Sequence, residues 1–314
     1  MILSRSSNRP SDPLSAVLAA LGVRSVRRTR FEASGDWALA FPGQARLKFV
    51  ALLRGRCFVL LPGQPTQHLE TGDVFLIGDT PYAIASDPAI AAVDGMALYE
   101  DPTREVVRLR GDETVMLGGG IAFESRDATF LFDALPVFMR IARTSPSAMA
   151  VSRTLELLQA EIGQARIGGS LITARLAEVM IVEAVRAYIS EHGEACVGWI
   201  GALADRRIGE ALRLMHDEVA RPWTVEMLAA RVGMSRSAFS SRFTSRVSRP
   251  PLDYLTHWRM VLARQMLSDG TGNVASVAAH VGYTSQSAFG QAFRRAFGHS
   301  PRWKGDPVAQ VFPP

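Results

Sequence analysis

The sequence predicts an α+β fold with an N-terminal β-barrel or sandwich, central helices and a C-terminal all-α module that contains two helix-turn-helix units. Three observations support this prediction. Short apolar runs separated by Gly, Pro and Asp extend to about residue 135, helical periodicity follows between residues 145 and 192, and the last third contains an internal repeat.

The composition limits the class of protein. A chain of 314 residues can form two ordinary domains, and its apolar fraction of 47% and charged fraction of 21% are typical of globular proteins. It has no run of 18 apolar residues, and Met1 to Pro13 lack the apolar stretch of a signal peptide. We therefore expect a cytoplasmic protein that does not contact a membrane.

The two cysteines, Cys57 and Cys196, are far apart in the sequence and predict neither a disulfide framework nor a metal site. We expect no metal and no other cofactor. Cys57 lies in an apolar run, which is typical of an inert core thiol, whereas Cys196 lies near a predicted linker. Whether either thiol senses the redox state is left open by the sequence.

Positive charge is concentrated near the C-terminus. Residues 206–304 contain 15 basic and 6 acidic residues, a net charge of +9, whereas residues 1–205 have a net charge of −3. A basic region attached to a mildly acidic remainder indicates that one part of the chain binds a polyanion.

The N-terminal region contains several short apolar runs with the length of strands. These runs are Trp37–Phe41, Phe49–Leu53, Cys57–Leu61 and Val74–Ile77. Turn sequences rich in Gly, Pro and Asp separate them, which favours a sandwich or a small barrel.

The central region predicts two amphipathic helices separated by Gly168 and Gly169. Ser170 can cap the second helix, which we place at Leu171–Ile189. Since the pair has more apolar surface than two helices can bury against each other, we expect it to pack on the β region or on a second subunit. Residues 191–204 are interpreted as a linker followed by a short docking segment.

The C-terminal third repeats itself after 49 residues: Ala229–Gly233 recurs as Ala278–Gly282. A serine and two phenylalanines at helical spacing follow each glycine. These residues are Ser235, Phe239 and Phe243 in the first copy, and Ser285, Phe289 and Phe293 in the second.

Each copy predicts a helix-turn-helix. A glycine can adopt the left-handed conformation of the tight turn, a serine caps the second helix, and the two phenylalanines pack on the first helix. The second helix of such a unit can enter the DNA major groove. Between the copies, Pro251 to Leu267 predicts one continuous helix, which would hold the two recognition helices roughly 34 Å apart, one turn of DNA.

This module resembles the DNA-binding domain of AraC/XylS-type transcriptional regulators over residues 206–305. The resemblance rests on Gly282–Pro301, Gly233–Phe239, Asp253–Leu255 and Trp258–Met260. It implies a sequence-specific DNA-binding transcription regulator, most often an activator, with double-stranded DNA and RNA polymerase as partners.

The N-terminal region resembles the cupin-like sensor domain of one branch of this family. The matching segments are Trp37–Pro42, Leu69–Leu76, Thr80–Tyr82 and Phe132–Pro136. The resemblance implies a cupin-like β-barrel that binds a small-molecule effector and forms a homodimer. The predicted domains are a sensor at residues 1–140, a helical dimerisation and linker region at 141–205, a DNA-binding domain at 206–305 and a tail at 306–314.

The residues predicted to bind DNA are polar or basic and lie outside the apolar stripes of the two recognition helices, or follow the second one. They are Arg236, Ser237, Ser240, Ser241 and Arg242, then Ser285, Gln286, Ser287 and Gln291, and finally Arg294, Arg295, Arg302 and Lys304. The resemblance assigns base reading to the serines at 237, 240, 241 and 287 and to both glutamines. We expect the last four basic residues to contact phosphates.

Two hypotheses compete for the N-terminal region. As a sensor, it would bind an anion such as a cyclic dinucleotide through Tyr82 and the cluster Arg24, Arg27, Arg28 and Arg30, although these arginines also fit a solvated charge run. The alternative is a cupin-type enzyme with an attached DNA-binding domain. A cupin metal needs several histidines, and only His68 precedes residue 192, so we expect no metal and no enzyme activity.

Overall fold

The computed structural model describes residues 12–21, 23–44, 46–101, 104–123, 129–161, 166–193, 196 and 198–301. These residues form two compact units. The first, which we call the β unit, contains the described residues of 23–123 and 136–192. The second, the helical unit, contains the described residues of 12–21, 129–135 and 193–301.

The strands of the described chain all belong to the β unit. They are β1 (Val23–Ala33), β2 (Ala38–Phe41), β3 (Arg46–Arg54), β4 (Arg56–Leu60), β5 (Gln67–Glu70), β6 (Val74–Ile77), β7 (Tyr82–Ala85), β8 (Val93–Asp94), β9 (Val106–Leu109), β10 (Thr114–Phe123) and β11 (Phe138–Ile141).

The strands form two mixed sheets, in the orders β11-β6-β3-β10-β1-β9 and β5-β4-β7-β2-β8. Neighbours are antiparallel, except that β9 runs parallel to β1 and β8 runs parallel to β2. Side chains from both sheets form one apolar core, in which Phe31 and Trp37 meet edge to face with their ring centroids 5.1 Å apart. The β-rich fold predicted for this region is confirmed.

Strand β3 shows how the alternation of side chains builds two buried layers. Val50 and Leu52 belong to the core shared by the sheets, whereas Leu47 and Phe49, on the opposite face of the strand, are also buried. The helix α4 (Gly169–His192) packs on β3 and on four other strands of the six-stranded sheet, and α3 (Met149–Glu161) packs on α4. The central helices therefore pack on the β unit, as the sequence predicts.

The helical unit contains the remaining helices of the described chain. They are α1 (Pro13–Ala20), α2 (Thr129–Phe132), α5 (Trp199–Ala202), α6 (Arg206–Asp217), α7 (Val225–Arg231), α8 (Arg236–Val247), α9 (Pro251–Ser268), α10 (Val274–His280) and α11 (Gln286–Phe297).

A cluster of buried rings fixes the middle of this unit. Phe130 of α2 stacks on Trp199 of α5 at 5.6 Å between ring centroids, and it lies 5.5 Å from the ring of Tyr254 and 6.0 Å from that of Trp258, both on α9. The Trp199 indole N–H donates to the Phe130 carbonyl, at 3.0 Å. His216 of α6 stacks on Trp258 at 4.3 Å and shares a 2.8 Å hydrogen bond with the Tyr254 hydroxyl. Four helices are thereby joined at one point.

The helical unit also includes α1. Asp12 caps this helix by accepting the Ser15 N–H, and Gln265 of α9 donates to the Ala19 carbonyl at 2.9 Å. Thus α1 and the 129–135 segment join the helical unit, although both lie within the range 1–140 that the sequence assigns to a sensor. The predicted domain boundaries stay a prediction.

No helix of the described residues is long and apolar enough to span a membrane.

We predict that His216 makes the helical unit sensitive to acid. Burial lowers the pKa of His216 to about 3, whereas an exposed histidine of the unfolded chain titrates near 6.5. The stability that the neutral ring supports is therefore lost as the pH falls from 6.5 towards 3. In the His216→Gln variant this part of the acid transition should disappear, as measured by tryptophan fluorescence during pH titration. A variant with an unchanged acid transition would contradict the prediction.

Candidate nucleic-acid interface

The first helix-turn-helix is built by local signals. The Thr224 hydroxyl caps α7 by accepting the Met227 N–H, and Gly233 adopts the left-handed conformation at φ +66°. Ser235 then caps α8 by accepting the Ala238 N–H at 3.3 Å. The rings of Phe239 and Phe243 are fully buried, with their centroids 5.6 Å apart.

The second unit repeats this construction. Asn273 caps α10, Gly282 is left-handed at φ +84°, and Ser285 caps α11 by accepting the Ala288 N–H. Phe289 and Phe293 are buried with their centroids 5.7 Å apart, close to the distance in the first unit. Both predicted turns, both predicted caps and both buried pairs are confirmed.

One spacer helix, α9, contributes to both helix-turn-helix units. Tyr254 lies 5.9 Å from Phe243 of the first unit, while Met260 and Ala263 belong to the apolar core of the second. Arg259 donates to two carbonyls of the loop between α6 and α7, at 2.9 and 2.7 Å, and its guanidinium lies 6.0 Å from the Tyr283 ring. The predicted spacer, Pro251 to Leu267, is confirmed and extends to Ser268.

Two arginines of the first recognition helix, α8, are held by carboxylates. Arg236 pairs with Glu226 at 2.7 Å, and Arg242 pairs with Asp205 at 2.7 Å. By contrast, the three serines predicted to read bases are partly or fully exposed and lie on the same helix. They are Ser237, Ser240 and Ser241. This helix therefore presents hydroxyl groups together with arginines that are already paired.

Asp205 is the central acceptor of that arrangement. Its side chain is only 4% exposed, and it caps α6 by accepting the N–H groups of Arg207 and Ile208. Burial alone would raise its pKa. The hydrogen bonds from Ile208, Arg242 and Arg207 outweigh burial and hold the pKa of Asp205 below its usual value. Arg242 thus stabilises the start of α6, a role that the sequence did not reveal.

The second recognition helix, α11, is arranged differently. Gln286, Ser287 and Gln291 are exposed. So are Arg294 and Arg295, and within the described part of the chain neither guanidinium has a carboxylate partner. Of the other predicted phosphate contacts, Arg302 and Lys304 lie outside the described residues.

The predicted effector residues of the β unit have various partners. Arg30 pairs with Glu32 at 2.7 Å, and Glu32 also accepts from Arg108, so these two arginines hold the pKa of Glu32 below its usual value. The Tyr82 hydroxyl accepts a 2.7 Å hydrogen bond from the ammonium group of Lys48. The side chains of the other three predicted residues, Arg24, Arg27 and Arg28, lie outside the described part of the structure.

Lys48, the partner of Tyr82, is not among the candidate binding residues predicted from the sequence, although strand alternation indicates its position. It lies two residues before Val50 on β3, so strand alternation places it on the face that lines the core. Lysine is also rare here, since Lys48 and Lys304 are the two lysines of the chain.

Neither thiol has the environment of a reactive cysteine. Burial raises the pKa of the Cys57 thiol to about 12, and burial also raises the pKa of Cys196. Among the described residues, no three His, Cys, Asp or Glu side chains come together where they could hold a metal ion.

Comparisons with known proteins agree with this architecture. A family model described as a cupin matches residues 12–190, and a model described as a helix-turn-helix domain matches residues 228–303. A protein of Streptomyces lividans, named as an AraC-like transcription regulator, is 35% identical over 294 residues, which cover 92% of this chain and 96% of the relative. The HTH-type transcriptional regulator AlkR of Acinetobacter baylyi is 28% identical, covering 93% of this chain and 98% of the relative.

Among solved structures, the DNA-binding domain of AdpA in complex with a target DNA is 34% identical, with a TM-score of 0.30. The match covers 30% of this chain and 86% of that domain.

A cupin β unit with a tandem helix-turn-helix defines the class: a transcription regulator that binds DNA. The extent of the matches to whole relatives gives the family. This chain belongs to the AraC-like transcription regulators.

We predict that the two turn glycines differ in how strictly they are required. At Gly233 a Cβ would meet nothing within 4 Å, so Gly233→Ala should cost about 1 kcal/mol, from the left-handed backbone alone. At Gly282 a Cβ would lie 2.5 Å from the Ala220 carbonyl oxygen, so Gly282→Ala should cost clearly more. Urea denaturation of the two variants measures the difference in the free energy of unfolding. Equal losses would show that the close approach at Gly282 is unimportant.

Proposed function

We propose that this regulator is a sequence-specific transcription activator that binds promoter DNA as a homodimer and responds to an effector held by its cupin domain. The observation that carries the DNA-binding part is the surface of α11. It combines exposed glutamines with two exposed arginines that have no carboxylate partner among the described residues.

The side chains of α11 divide naturally between two kinds of contact. A glutamine amide can pair with adenine through a donor and an acceptor, so Gln286 and Gln291 are suited to read bases. A free guanidinium binds phosphate in any sequence, so Arg294 and Arg295 are suited to hold the backbone. In this proposal α11 supplies both sequence preference and charge.

The first recognition helix plays a different part. Since Arg236 and Arg242 are paired with Glu226 and Asp205, α8 offers mainly the hydroxyl groups of its serines to DNA. A serine hydroxyl is a weaker and less selective base contact than a bidentate arginine. Affinity therefore depends on phosphate contacts, DNA shape and dimerisation more than on direct reading by α8.

Dimerisation is supported by apolar side chains left exposed on the two central helices. Met149 and Leu157 of α3 are 63% and 57% exposed, and Leu171, Ile172 and Val179 of α4 are 63%, 45% and 44% exposed. Large apolar side chains exposed on two helices that pack against each other are typical of a surface that a second subunit covers. We assign this surface to the homodimer.

In this proposal, the dimer bound at the promoter activates transcription with RNA polymerase as its partner. The effector would change how the two DNA-binding modules occupy their site. Run-off transcription from a promoter that carries the binding site tests the direction of regulation, because an activator increases the transcript and a repressor decreases it.

For the DNA contacts, we predict that Gln291→Ala and Arg295→Ala weaken DNA binding in different ways. On a site selected from random DNA, Gln291→Ala should lose about 1–3 kcal/mol of discrimination between that site and scrambled DNA. Arg295→Ala should weaken binding to both DNAs alike and reduce the slope of log affinity against log salt by about 0.9. Fluorescence-anisotropy titrations at several salt concentrations measure both effects.

The control for these variants is Arg54→Ala. Arg54 lies at the end of β3 in the β unit, away from the proposed dimer surface, where it pairs with Asp112 at 2.7 Å. This substitution should leave both affinities and the salt slope unchanged. Equal losses of Gln291→Ala on selected and scrambled DNA would remove Gln291 from the base-reading residues.

For the dimer, we predict that Leu171→Glu shifts the chain from dimer to monomer in sedimentation equilibrium, because a charge would be buried at the proposed surface. The matched control is Leu252→Glu. Leu252 is also an exposed leucine, at 39%, but it lies on α9 of the helical unit. The control should remain dimeric, and a dimer in both variants would place the interface elsewhere.

A further inference from the structure

One end of the β-unit interior is cationic. On β3 the residues that alternate onto the inner face are Arg46, Lys48, Val50 and Leu52. Val50 and Leu52 belong to the apolar core, whereas Arg46 and Lys48 continue the same face and are only partly exposed. The core therefore ends in two positive charges.

Two aromatic rings, those of Phe41 and Tyr82, lie beside the Lys48 ammonium group. It donates to the Tyr82 hydroxyl at 2.7 Å and lies 4.7 Å from the centre of the Phe41 ring. The rings of Phe41 and Tyr82 stack at 5.1 Å, and the ring of Tyr99 lies 6.2 Å from that of Phe41. Within the described residues, no carboxylate lies within ion-pair distance of Lys48.

The strand that pairs with β3 places only small residues beside the two cations. On β10, Gly120 pairs with Lys48 and Ala122 pairs with Arg46. Gly118 lies one inward position earlier, and a Cβ there would stand 3.5 Å from the Thr29 hydroxyl and 3.6 Å from Lys48 Cε. Three successive inward positions of β10 thus have no side chain larger than a methyl group.

The energetics of these groups favour the binding of an anion. Burial, and secondarily the charge of Arg46, lower the pKa of Lys48 to about 7, and burial lowers the pKa of Arg46. Burial raises the pKa of Tyr82, so its hydroxyl keeps its proton. A buried cation without a counter-charge is costly, whereas an ammonium, a guanidinium and a phenolic O–H together can donate several hydrogen bonds to one anion.

We propose that Lys48, Arg46 and Tyr82 form a binding site for a small organic carboxylate whose apolar part lies against the rings of Phe41 and Tyr99. Two carboxylate oxygens match the two cationic donors, and the Tyr82 O–H can donate while its oxygen accepts from Lys48. The rings favour an apolar body over a bare inorganic anion. This inference rests on the proposed function only in taking the carboxylate as the effector.

The test measures binding by the full chain in the absence of DNA. The probes are sodium octanoate and sodium benzoate, with 1-octanol, benzyl alcohol and inorganic phosphate as comparisons. Isothermal titration calorimetry should give saturable binding of one or both carboxylates, with a rise in Tm, because a ligand that binds the native state stabilises it. The alcohols and phosphate should give neither.

Variants assign the binding to the site. Lys48→Met should weaken carboxylate binding by about 10- to 100-fold, because a charge-assisted hydrogen bond is lost. Its Tm without ligand should equal or exceed that of the parent chain, since a buried ammonium is replaced by an apolar side chain of similar length. The control Arg54→Ala, which removes an exposed arginine from the other end of β3, should bind the carboxylates like the parent chain.

A pH series provides a second readout. The groups that face Lys48 are Arg46 on its own strand, Tyr82 from β7 and the uncharged Thr29 from β1. Since Lys48 carries its charge below about pH 7, octanoate affinity should fall as the pH rises through that value. In Lys48→Arg, which stays charged, the affinity should change little.

Several results would overturn the proposal. Carboxylates that neither bind nor stabilise the folded chain, equal binding of carboxylates and alcohols, or a Lys48→Met variant that binds like the parent chain would each reject the site. Its failure is distinguishable from failure of the proposed function. Loss of DNA binding in the anisotropy experiment leaves carboxylate binding untouched. Lys48-dependent carboxylate binding without any change in DNA affinity or transcription would keep the site and reject the effector role.

Discussion

The packing of rings on α9 is the constraint on which the DNA-binding surface depends. Tyr254 and Trp258 on α9 meet Phe130, Trp199 and His216 from three other helices. Farther along, the same helix supplies part of the core of the second helix-turn-helix. A rigid helix shared by the two helix-turn-helix units fixes the positions of both recognition helices. The ring cluster therefore helps to position DNA-facing side chains that it does not contact.

The two helix-turn-helix units share one local design but differ in electrostatics. Their turns, caps and phenylalanine pairs correspond closely, yet Asp205 and Glu226 pair with arginines of α8 while those of α11 have no such partner among the described residues. Free positive charge contributes affinity and salt sensitivity, whereas a carboxylate beside an arginine lowers the positive potential that a phosphate would meet. In the proposed function, the repeat therefore makes two unequal DNA contacts, and α11 makes the larger contribution.

The β unit uses strand alternation to combine a core with a polar end. Along β3 the inward positions change from apolar, at Val50 and Leu52, to cationic, at Arg46 and Lys48. The residues of β10 that pair with these cations, Gly120 and Ala122, have no charge that could balance them. In the proposed carboxylate site, a ligand with one charged and one apolar end would match both parts at once.

The sequence by itself determined the tandem helix-turn-helix, including Gly233, Gly282, the serine caps and the spacer helix, because caps, left-handed turns and i,i+4 pairs depend on neighbours within a few residues. It also determined the β-rich character of the N-terminal region from alternation and turns. Only the tertiary structure decided which arginines are paired, that α1 and the 129–135 segment pack in the helical unit, and that Lys48 faces Tyr82. These contacts join residues distant in the chain, and no local pattern encodes a long-range partner.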